Sequence, residues 1–390
     1  MSRRAHIAMV GVPAVSHVLP SLEVVRELVA RGHRVTYAND PVVAELVAGT
    51  GAGLVPYRSS LPVADDAWPE DPIAAMEVFL DDAIQVLPQL RAAYGEDPAD
   101  LYMYDIGGYA GRALAEGQGR PVVQLSPTYV AWEGYDEEVG AQLWQLPGAA
   151  GYRAKFGTWL AECGAVTTDV DLFSGRPARV LALVPDAMQP HADRVDRRAV
   201  TFVGPCFGGR DEKGGWVKPE GAGKVLLISL GTTYTRQPEF YRQCLKAFGG
   251  LPGWHVVLQV GKQTEVGELG EIPGNVEVHR WVPQLAILRQ AAAFVTHAGM
   301  GGSSEGLYAG VPMIAVPQAV DQFGNADQLV KLGMARRIDT ADATAEVLRE
   351  ALLELTRDPE VAERSARLRA AALSEGGTTR AADLIEAMLP

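Results

Sequence analysis

The chain contains 390 residues, which exceeds what one ordinary hydrophobic core accommodates and predicts two domains. Hydrophobic residues make up 47% of the sequence and charged residues 21%, a balance typical of a soluble globular protein and unlike that of a disordered one. The formal net charge of -13 repels polyanions, so we expect neither nucleic acid nor an anionic membrane as a partner.

The first half of the chain alternates short apolar runs with stretches in which apolar residues recur at helical spacing. This alternation is typical of a doubly wound parallel sheet. A helical and aromatic stretch at 127–174 precedes the last two strands of this half. The predicted strands are 6–12, 35–37, 54–57, 101–104, 121–125, 180–184 and 201–203, and the predicted helices are 22–31, 41–48, 72–94 and 109–116.

Residues 206–223 are rich in glycine, charge and proline and predict an interdomain linker. The second half then restarts the alternation, with predicted strands at 225–229, 255–259, 276–279, 293–296 and 313–316 and three closing helices at 344–356, 359–373 and 379–388. We therefore predict two α/β domains, residues 1–205 and 224–375, that face each other across a cleft, and a C-terminal helix within 376–390.

The cysteines indicate a reducing environment. Cys163, Cys206 and Cys244 lie far apart with no C-x-x-C pattern, which argues against a disulfide framework and against a zinc site. The first residues lead directly into a strand pattern without a signal peptide, and no apolar run reaches the roughly 20 residues that span a bilayer. We expect a cytoplasmic protein without a membrane span.

The turn after the first predicted strand carries a histidine. Residues 11–20 lack the G-x-G-x-x-G pattern of a dinucleotide site, which disfavours a hydride-transferring dehydrogenase. His17 leaves the carboxyl edge of the sheet, and Asp105 ends the fourth strand at the same edge. Two interpretations stay open: Asp105 is a helix N-cap, or the two residues form a general base in which the carboxylate fixes the imidazole tautomer.

The segment from Trp281 to Gln322 predicts a nucleotide-sugar site. The apolar strand at 293–296 runs into His297 and the glycine-rich turn Gly299-Met300-Gly301-Gly302, where a helix begins, and a helix N-terminus favours a phosphate. His297 is either a phosphate contact or a buried residue at a strand end. The turn at Gly231 and Thr232 offers a second glycine-containing loop at the same edge.

The groups around this turn match the other parts of a nucleotide sugar. The Trp281 indole suits a flat base, Glu305 suits ribose hydroxyls, and Asp321 with Gln322 suits a sugar.

Two further motifs match functional patterns but are predicted to have no catalytic or metal-binding role. Gly302-Ser303-Ser304-Glu305-Gly306 matches G-x-S-x-G, but the hydrolase order requires a histidine after the serine, and none follows Ser304. Asp169-Val170-Asp171 resembles a metal-binding D-x-D pair, but its polar surroundings predict a solvated loop. We expect no metal and no cofactor, because a helix dipole and backbone amides can stabilise a departing diphosphate.

Together these residues resemble the inverting UDP-glycosyltransferase superfamily. More narrowly, PSLEVVRELVARGHRVTYA, WVPQLAILRQA, FVTHAGMGGSSEG and PMIAVPQAVDQFGNAD are similar to the bacterial macrolide glycosyltransferases that inactivate oleandomycin-type antibiotics, and the likeness covers nearly the whole chain. The resemblance implies a GT-B fold with the acceptor on the first domain, the donor mainly on the second, and a final helix that crosses back to the first.

The resemblance also implies residue roles. His17 matches the catalytic base and Asp105 its orienting carboxylate. Trp281 matches the residue that stacks on uracil. The implied donor-binding set is Gly231, Thr232, Trp281, Val282, Gln284, His297, Gly299, Gly301, Gly302, Ser303, Glu305, Asp321 and Gln322.

The chain departs from the family in the first loop. The macrolide enzymes have H-G-H-V-N-P where this chain has Val15-Ser16-His17-Val18-Leu19-Pro20, which makes the acceptor mouth more apolar. The expected acceptor is a small hydrophobic or aromatic molecule such as a macrolide, a flavonoid or a nucleoside antibiotic. Candidate acceptor-pocket residues are Val15 and five aromatic residues that each suit a core equally well, Trp68, Phe79, Tyr129, Trp132 and Trp144.

The expected reaction is inverting transfer of a sugar, with UDP-glucose favoured as donor, to an acceptor hydroxyl. Two other functions remain open from the sequence: a UDP-sugar epimerase on the same fold, and a non-catalytic UDP-sugar binder. The sequence is compatible with a monomer and with a homodimer.

Overall fold

A computed structural model describes residues 4–63, 68–208, 215–232 and 234–390. The chain divides into two compact units. The first contains the described residues of Met1–Val184, His191–Gly208 and Gly376–Pro390, and the second contains those of Pro185–Pro190 and Gly209–Glu375. Residues 209–214 of the predicted linker lie outside the described residues.

The first unit is built on a parallel sheet with helices on both faces. Its strands are β1 (His6–Val10), β2 (Arg34–Asn39), β3 (Gly53–Pro56), β4 (Leu101–Asp105), β5 (Val122–Ser126), β6 (Val180–Ala182) and β7 (Val200–Phe202). Its helices up to this point are α1 (Val15–Ala30), α2 (Ala44–Ala48), α3 (Pro72–Tyr94), α4 (Tyr109–Gly117), α5 (Ala141–Leu143), α6 (Ala149–Glu162) and α7 (Val170–Ser174).

The strand order of this sheet fixes where a ligand edge lies. The order is β3-β2-β1-β4-β5-β6-β7, so the direction of winding reverses between β1 and β4. In open α/β sheets the carboxyl ends of the strands at such a reversal form the ligand site. Val10 pairs with Tyr104, so the residues that follow β1 meet the last residue of β4, Asp105, at this edge.

The second unit repeats the design. Its strands are β8 (Lys224–Ser229), β9 (Trp254–Gln259), β10 (Val276–His279), β11 (Ala291–Thr296), β12 (Met313–Ala315) and β13 (Ala335–Arg337), and its helices are α8 (Pro238–Phe248), α9 (Gln284–Leu288), α10 (Met300–Ala309), α11 (Gln322–Lys331), α12 (Ala345–Arg357) and α13 (Pro359–Ser374). The order β10-β9-β8-β11-β12-β13 reverses between β8 and β11, where Ser229 pairs with Thr296.

Successive side chains of a strand point to opposite faces of the first sheet, and both faces are covered by core residues. Ala8 and Val10 pack into the apolar layer beneath α3, whereas Ile7 and Met9 pack into the layer beneath α1. Burial on both faces explains why β1 is a continuous apolar run and not an alternating one. Each fully buried aliphatic side chain contributes about 1.5–3 kcal/mol.

The chain returns to the first unit at its C-terminal helix, α14 (Gly377–Glu386). Ile385 joins the apolar layer beneath α1. Arg31, at the end of α1, donates to Asp383 at 2.6 Å and to Glu386 at 2.7 Å, and the buried imidazole of His33 lies 2.8 Å from Glu386. An apolar contact and a cluster of ion pairs therefore hold α14 on α1.

The structure differs from the predicted elements in the middle of the chain. The predicted first domain of 1–205 contains Pro185–Pro190, but these residues belong to the second unit. Asp186 N donates to the Glu375 carboxylate at 3.0 Å, and the Gln328 amide donates to Ala187 O at 2.8 Å. These partners lie far along the sequence, so no local pattern indicates the excursion.

Two secondary-structure predictions also need correction. Strand β13 was not predicted, because its sequence, Ala-Arg-Arg, contains no apolar run; it lies half-buried at the sheet edge, next to β12. The stretch 127–174 is helical only in part, in a π-helical turn at Asp136–Gly140 and in α5, α6 and α7. None of the helices in the described part of the chain combines the length and the apolar composition needed to cross a bilayer.

Candidate active site

A histidine–carboxylate pair lies at the reversal point of the first sheet. His17 lies in the first turn of α1, and Asp105 ends β4. His17 Nδ1 lies 2.9 Å and 3.1 Å from the two carboxylate oxygens of Asp105, whose side chain is buried. Because a carboxylate only accepts hydrogen bonds, Nδ1 carries the proton and Nε2 holds the lone pair that a general base needs. The His17 side chain is 27% exposed, so a ligand can reach it.

A backbone N–H group helps to hold the Asp105 carboxylate in this orientation. Gly107 N donates to Asp105 Oδ1 at 2.8 Å. The N-cap residue of α4 is Gly108, without a side-chain cap, so Asp105 is not the N-cap of that helix, one of the two interpretations left open by the sequence. A Cβ on Gly107 would lie 3.1 Å from the Phe79 ring and 3.3 Å from Asp105 Oδ1. Glycine at this position lets an aromatic ring lie beside the pair.

Polar groups that the sequence analysis missed hold the segment between β1 and α1. Tyr57 Oη donates to Gly11 O at 2.5 Å, and Asn39 Nδ2 donates to Val12 O at 3.2 Å. A Cβ on Gly11 would lie 2.8 Å from both Tyr37 Oη and Asn39 Nδ2, so only glycine fits here. These contacts orient the start of α1 and hence His17. The one available signal was position, because Asn39 ends β2 and Tyr57 follows β3 at the same sheet edge.

The candidate acceptor residues fall into separate groups. Trp68 stacks on Phe79 with ring centroids 5.6 Å apart, and Phe79 lies beside Asp105 across Gly107. Val15 begins α1 and is exposed, and Tyr129 is half-buried.

The remaining two indoles contact other side chains of the first unit. Trp132 lies edge-on to Tyr135 at 4.8 Å and donates to Glu138. Trp144 stacks on Tyr152 and carries the Arg153 guanidinium over its ring at 4.7 Å.

The turn after β11 forms an open helix N-terminus in the second unit. Gly299 is the N-cap residue of α10 and supplies no capping side chain, and Gly301 and Gly302 lie in the first turn. The hydroxyls of Ser303 and Ser304 are buried and find no hydrogen-bond partner within the described part of the chain. Unsatisfied backbone N–H groups, a helix dipole and an unpaired buried hydroxyl are the donors that an anion needs.

Glycines make room for the imidazole of His297. A Cβ on Gly231 would lie 2.7 Å from the His297 ring, and a Cβ on Gly299 would lie 2.4 Å from its Nε2. Burial lowers the pKa of His297 to about 4, so the imidazole is neutral at pH 7 and acts as a hydrogen-bonding group, not as a cation. Gly231 adopts φ +78, and Thr232 beyond it is exposed.

The groups predicted for the nucleoside lie around α9. Gln284 Nε2 donates to Glu305 Oε2 at 2.7 Å, so the structure brings these two predicted residues together. Trp281 is 70% exposed, whereas its neighbour Val282 is buried. An indole that gains so little from packing in its own unit is available to stack on a ligand.

The segment after β12 is strained. Val320 is 78% exposed and adopts φ +50, a left-handed conformation that is rare for a β-branched residue. Gln322 Oε1 accepts from Gln318 N at 2.8 Å and from Ala319 N at 3.1 Å, so this predicted sugar contact also stabilises the turn. Asp321 is exposed and accepts from Asn325 Nδ2 at 2.9 Å.

Both carboxylates of the D-x-D pair have partners in the protein. Asp169 accepts from Leu172 N at 2.9 Å as the N-cap of α7, and Asp171 forms two hydrogen bonds with Arg153 at 2.6 Å and 2.8 Å. The predicted solvated loop is therefore the start of a short helix. Asp169 is exposed, as predicted, but the loop assignment was wrong because an aspartate that caps a short helix looks in the sequence like an aspartate of a polar loop.

Comparisons with known proteins find a family model in the second half of the chain and a relative that covers nearly all of it. The family model described as Erythromycin biosynthesis protein CIII-like, C-terminal domain, matches residues 247–388. Oleandomycin glycosyltransferase of Streptomyces antibioticus is 58% identical over 394 residues, which cover 99% of this chain and 91% of that protein.

Solved structures match equally well. The glycotransferase of kitacinnamycin matches with a TM-score of 0.93 and 54% identity and covers 100% of both chains. CalG4, the calicheamicin glycosyltransferase, matches with a TM-score of 0.87 and 34% identity over 99% of this chain and 98% of its own. The predicted fold class, two Rossmann-like domains of the GT-B type, is confirmed by these likenesses.

Proposed function

Because the chain belongs to the bacterial glycosyltransferase family that includes oleandomycin glycosyltransferase, we propose that it transfers glucose from UDP-glucose to a hydroxyl of a macrolide or a similar natural product. The observation that carries the proposed chemistry is the buried Asp105 carboxylate at 2.9 Å from His17 Nδ1. It is the arrangement that a neutral imidazole base requires.

The proposed reaction is a direct displacement. The acceptor hydroxyl gives its proton to His17 Nε2 while its oxygen bonds to the anomeric carbon of the sugar. The bond between that carbon and the diphosphate oxygen breaks, and UDP leaves with the electron pair. Asp105 stabilises the imidazolium that forms, and attack opposite to the leaving group converts an α-linked donor into a β-glycoside.

The proposed donor site lies in the second unit. The uracil stacks on Trp281, the ribose hydroxyls bind Glu305, and the diphosphate accepts hydrogen bonds from His297, from Ser303 and from the first turn of α10. The exposed indole and the unpartnered hydroxyl of Ser303 support these assignments. Asp321 and Gln322 bind the sugar.

We further propose that no metal ion takes part. The charge that develops on UDP is stabilised by fixed dipoles, which cost no reorganisation during the reaction. Transfer should therefore continue at an unchanged rate in excess EDTA. A requirement for added Mg²⁺ or Mn²⁺ would overturn this part of the proposal.

For the acceptor, an apolar molecule is supported by the stacked rings of Trp68 and Phe79, since Phe79 lies beside Asp105. A macrolide fits this surface, and a flavonoid or a nucleoside antibiotic is the alternative. In the test, the protein is incubated with UDP-glucose and a panel of these acceptors, including oleandomycin, and products are read by mass spectrometry.

The results distinguish a transferase from an epimerase and from a binding protein. A mass gain of one hexose on an acceptor, lost in His17→Ala and kept in the control His279→Ala, supports the proposal. Conversion of UDP-glucose to another UDP-sugar without acceptor would indicate an epimerase. UDP binding with no turnover of any acceptor would indicate a binding protein.

A further inference from the structure

A buried amide joins two segments of the second unit that carry proposed donor contacts. Gln259 is the last residue of β9, and its side chain is 5% exposed. Its Nε2 donates to Gly231 O at 3.0 Å, and its Oε1 accepts from Val282 N at 3.0 Å. Strand β9 lies between β8 and β10, so this single side chain reaches the loop that follows each neighbouring strand.

The two loops have different roles in the proposed donor site. Gly231 leaves space for the His297 ring, which a Cβ at that position would approach to 2.7 Å. Val282 directly follows Trp281, the exposed indole. The first loop therefore sets the diphosphate end of the site and the second sets the nucleobase end.

We propose that Gln259 is a positioning residue that fixes the separation between the nucleobase end and the diphosphate end of the donor site. It acts through Gly231 and Val282 and touches no donor atom. The inference rests on the proposed function, because that function places the two ends of one ligand, UDP, at these two loops.

The chemistry of the amide makes this assignment specific. Glutamine presents one donor group and one acceptor atom, and the two loops supply one acceptor and one donor. A methionine at 259 keeps the length of the side chain but pairs with neither loop. A glutamate keeps the acceptor for Val282 N and turns a second acceptor toward Gly231 O.

The test uses ligands that occupy one end or both ends. UDP and uridine are titrated into wild type, Gln259→Met and Gln259→Glu by calorimetry, with thermal unfolding measured in parallel. The matched control is Gln290→Met, because the Gln290 amide also bridges two segments, with Nε2 donating to Ala286 O and Oε1 accepting from Lys218 N.

UDP, which occupies both ends of the proposed site, should lose more affinity than uridine, which occupies only the nucleobase end. We expect the Kd of UDP to rise at least about tenfold in both variants, the effect of losing one or two ordinary hydrogen bonds, with little change for uridine. The KM for donor should rise more than kcat falls, and Gln290→Met should match wild type.

Equal losses for UDP and uridine, accompanied by a lower Tm, would show a merely structural role and overturn the inference. Unchanged UDP binding in Gln259→Glu would overturn it as well, even if Gln259→Met failed to fold. Failure of wild type to bind UDP would instead refute the proposed function itself, so the two failures are distinguishable.

Discussion

Replacing Asp105 with asparagine tests the proposed base directly. Gly107 N requires an acceptor, so the amide should keep its oxygen toward Gly107 and turn its NH₂ toward His17 Nδ1. The amide NH₂ then faces Nδ1 and favours the tautomer in which Nδ1 accepts and Nε2 carries the imidazole proton, against the remaining contact of Nδ1 with Oδ1 at 2.9 Å. In that tautomer the nitrogen that should receive the acceptor's proton already carries one.

The size of the effect follows from the role that is lost. General base catalysis contributes about 10²–10⁴ in rate, so kcat should fall by that factor. At about 1.36 kcal/mol per tenfold this corresponds to roughly 3–5 kcal/mol of transition-state stabilisation. Affinity for UDP should stay at its wild-type value, because the proposed donor contacts lie in the other unit.

The assay is UDP release at saturating donor and acceptor, with UDP binding measured by calorimetry. Asp100→Asn is the matched control, because Asp100 accepts from His6 N near the opposite end of β4 and should leave turnover unchanged. Turnover of Asp105→Asn within about tenfold of wild type would refute the assignment of His17 as a base oriented by Asp105.

Three other substitutions and conditions probe the second unit. Trp281→Ala should weaken UDP binding by about 1–3 kcal/mol without lowering Tm, because the indole is 70% exposed; unchanged affinity would remove it from the nucleobase site. Val320→Gly should relieve about 1–2 kcal/mol of left-handed strain, partly offset by about 0.5–1 kcal/mol of added chain entropy, so urea unfolding should show equal or higher stability; a clear loss would contradict the strain argument. His297 has a folded pKa of about 4 against about 6.5 unfolded, so its contribution to stability is fully present above pH 6.5 and declines as pH falls toward 4. The free energy of unfolding measured between pH 7 and 4.5 should fall less steeply in His297→Asn, and parallel curves would exclude this titration.

The sequence was sufficient to predict the location of residues that directly follow the carboxyl end of a parallel strand. Parallel strands share a carboxyl edge, so the positions of His17 after β1 and of Asp105 at the end of β4 place both residues at one edge. Those positions left open whether Asp105 caps a helix or pairs with His17, and the structure shows the pair. The helix N-terminus after His297 could be predicted for a similar reason. A strand that runs into a glycine-rich turn and a helix places its N-cap, here Gly299, by local sequence alone.

The sequence was insufficient where a partner depends on tertiary register. Nothing local to Gln259 or Tyr57 indicates that one joins two loops and the other holds Gly11. Strand β13 was missed because edge strands need no apolar run, and the segment Pro185–Pro190 because its partners lie far along the chain. For Trp132 and Trp144 the acceptor assignment stays a prediction, because an aromatic residue fits a ligand surface and an intramolecular packing contact equally well.

The placement of α14 has a consequence for how the molecule is made. The apolar layer beneath α1 includes Ala381, Ala382 and Ile385, and Arg31 finds its acidic partners at Asp383 and Glu386. A ribosome synthesises these residues only after every strand of the second unit, so the amino-terminal half must emerge with that layer uncovered. The first unit therefore reaches its final stability only after the rest of the chain has been made, although its sheet is translated first.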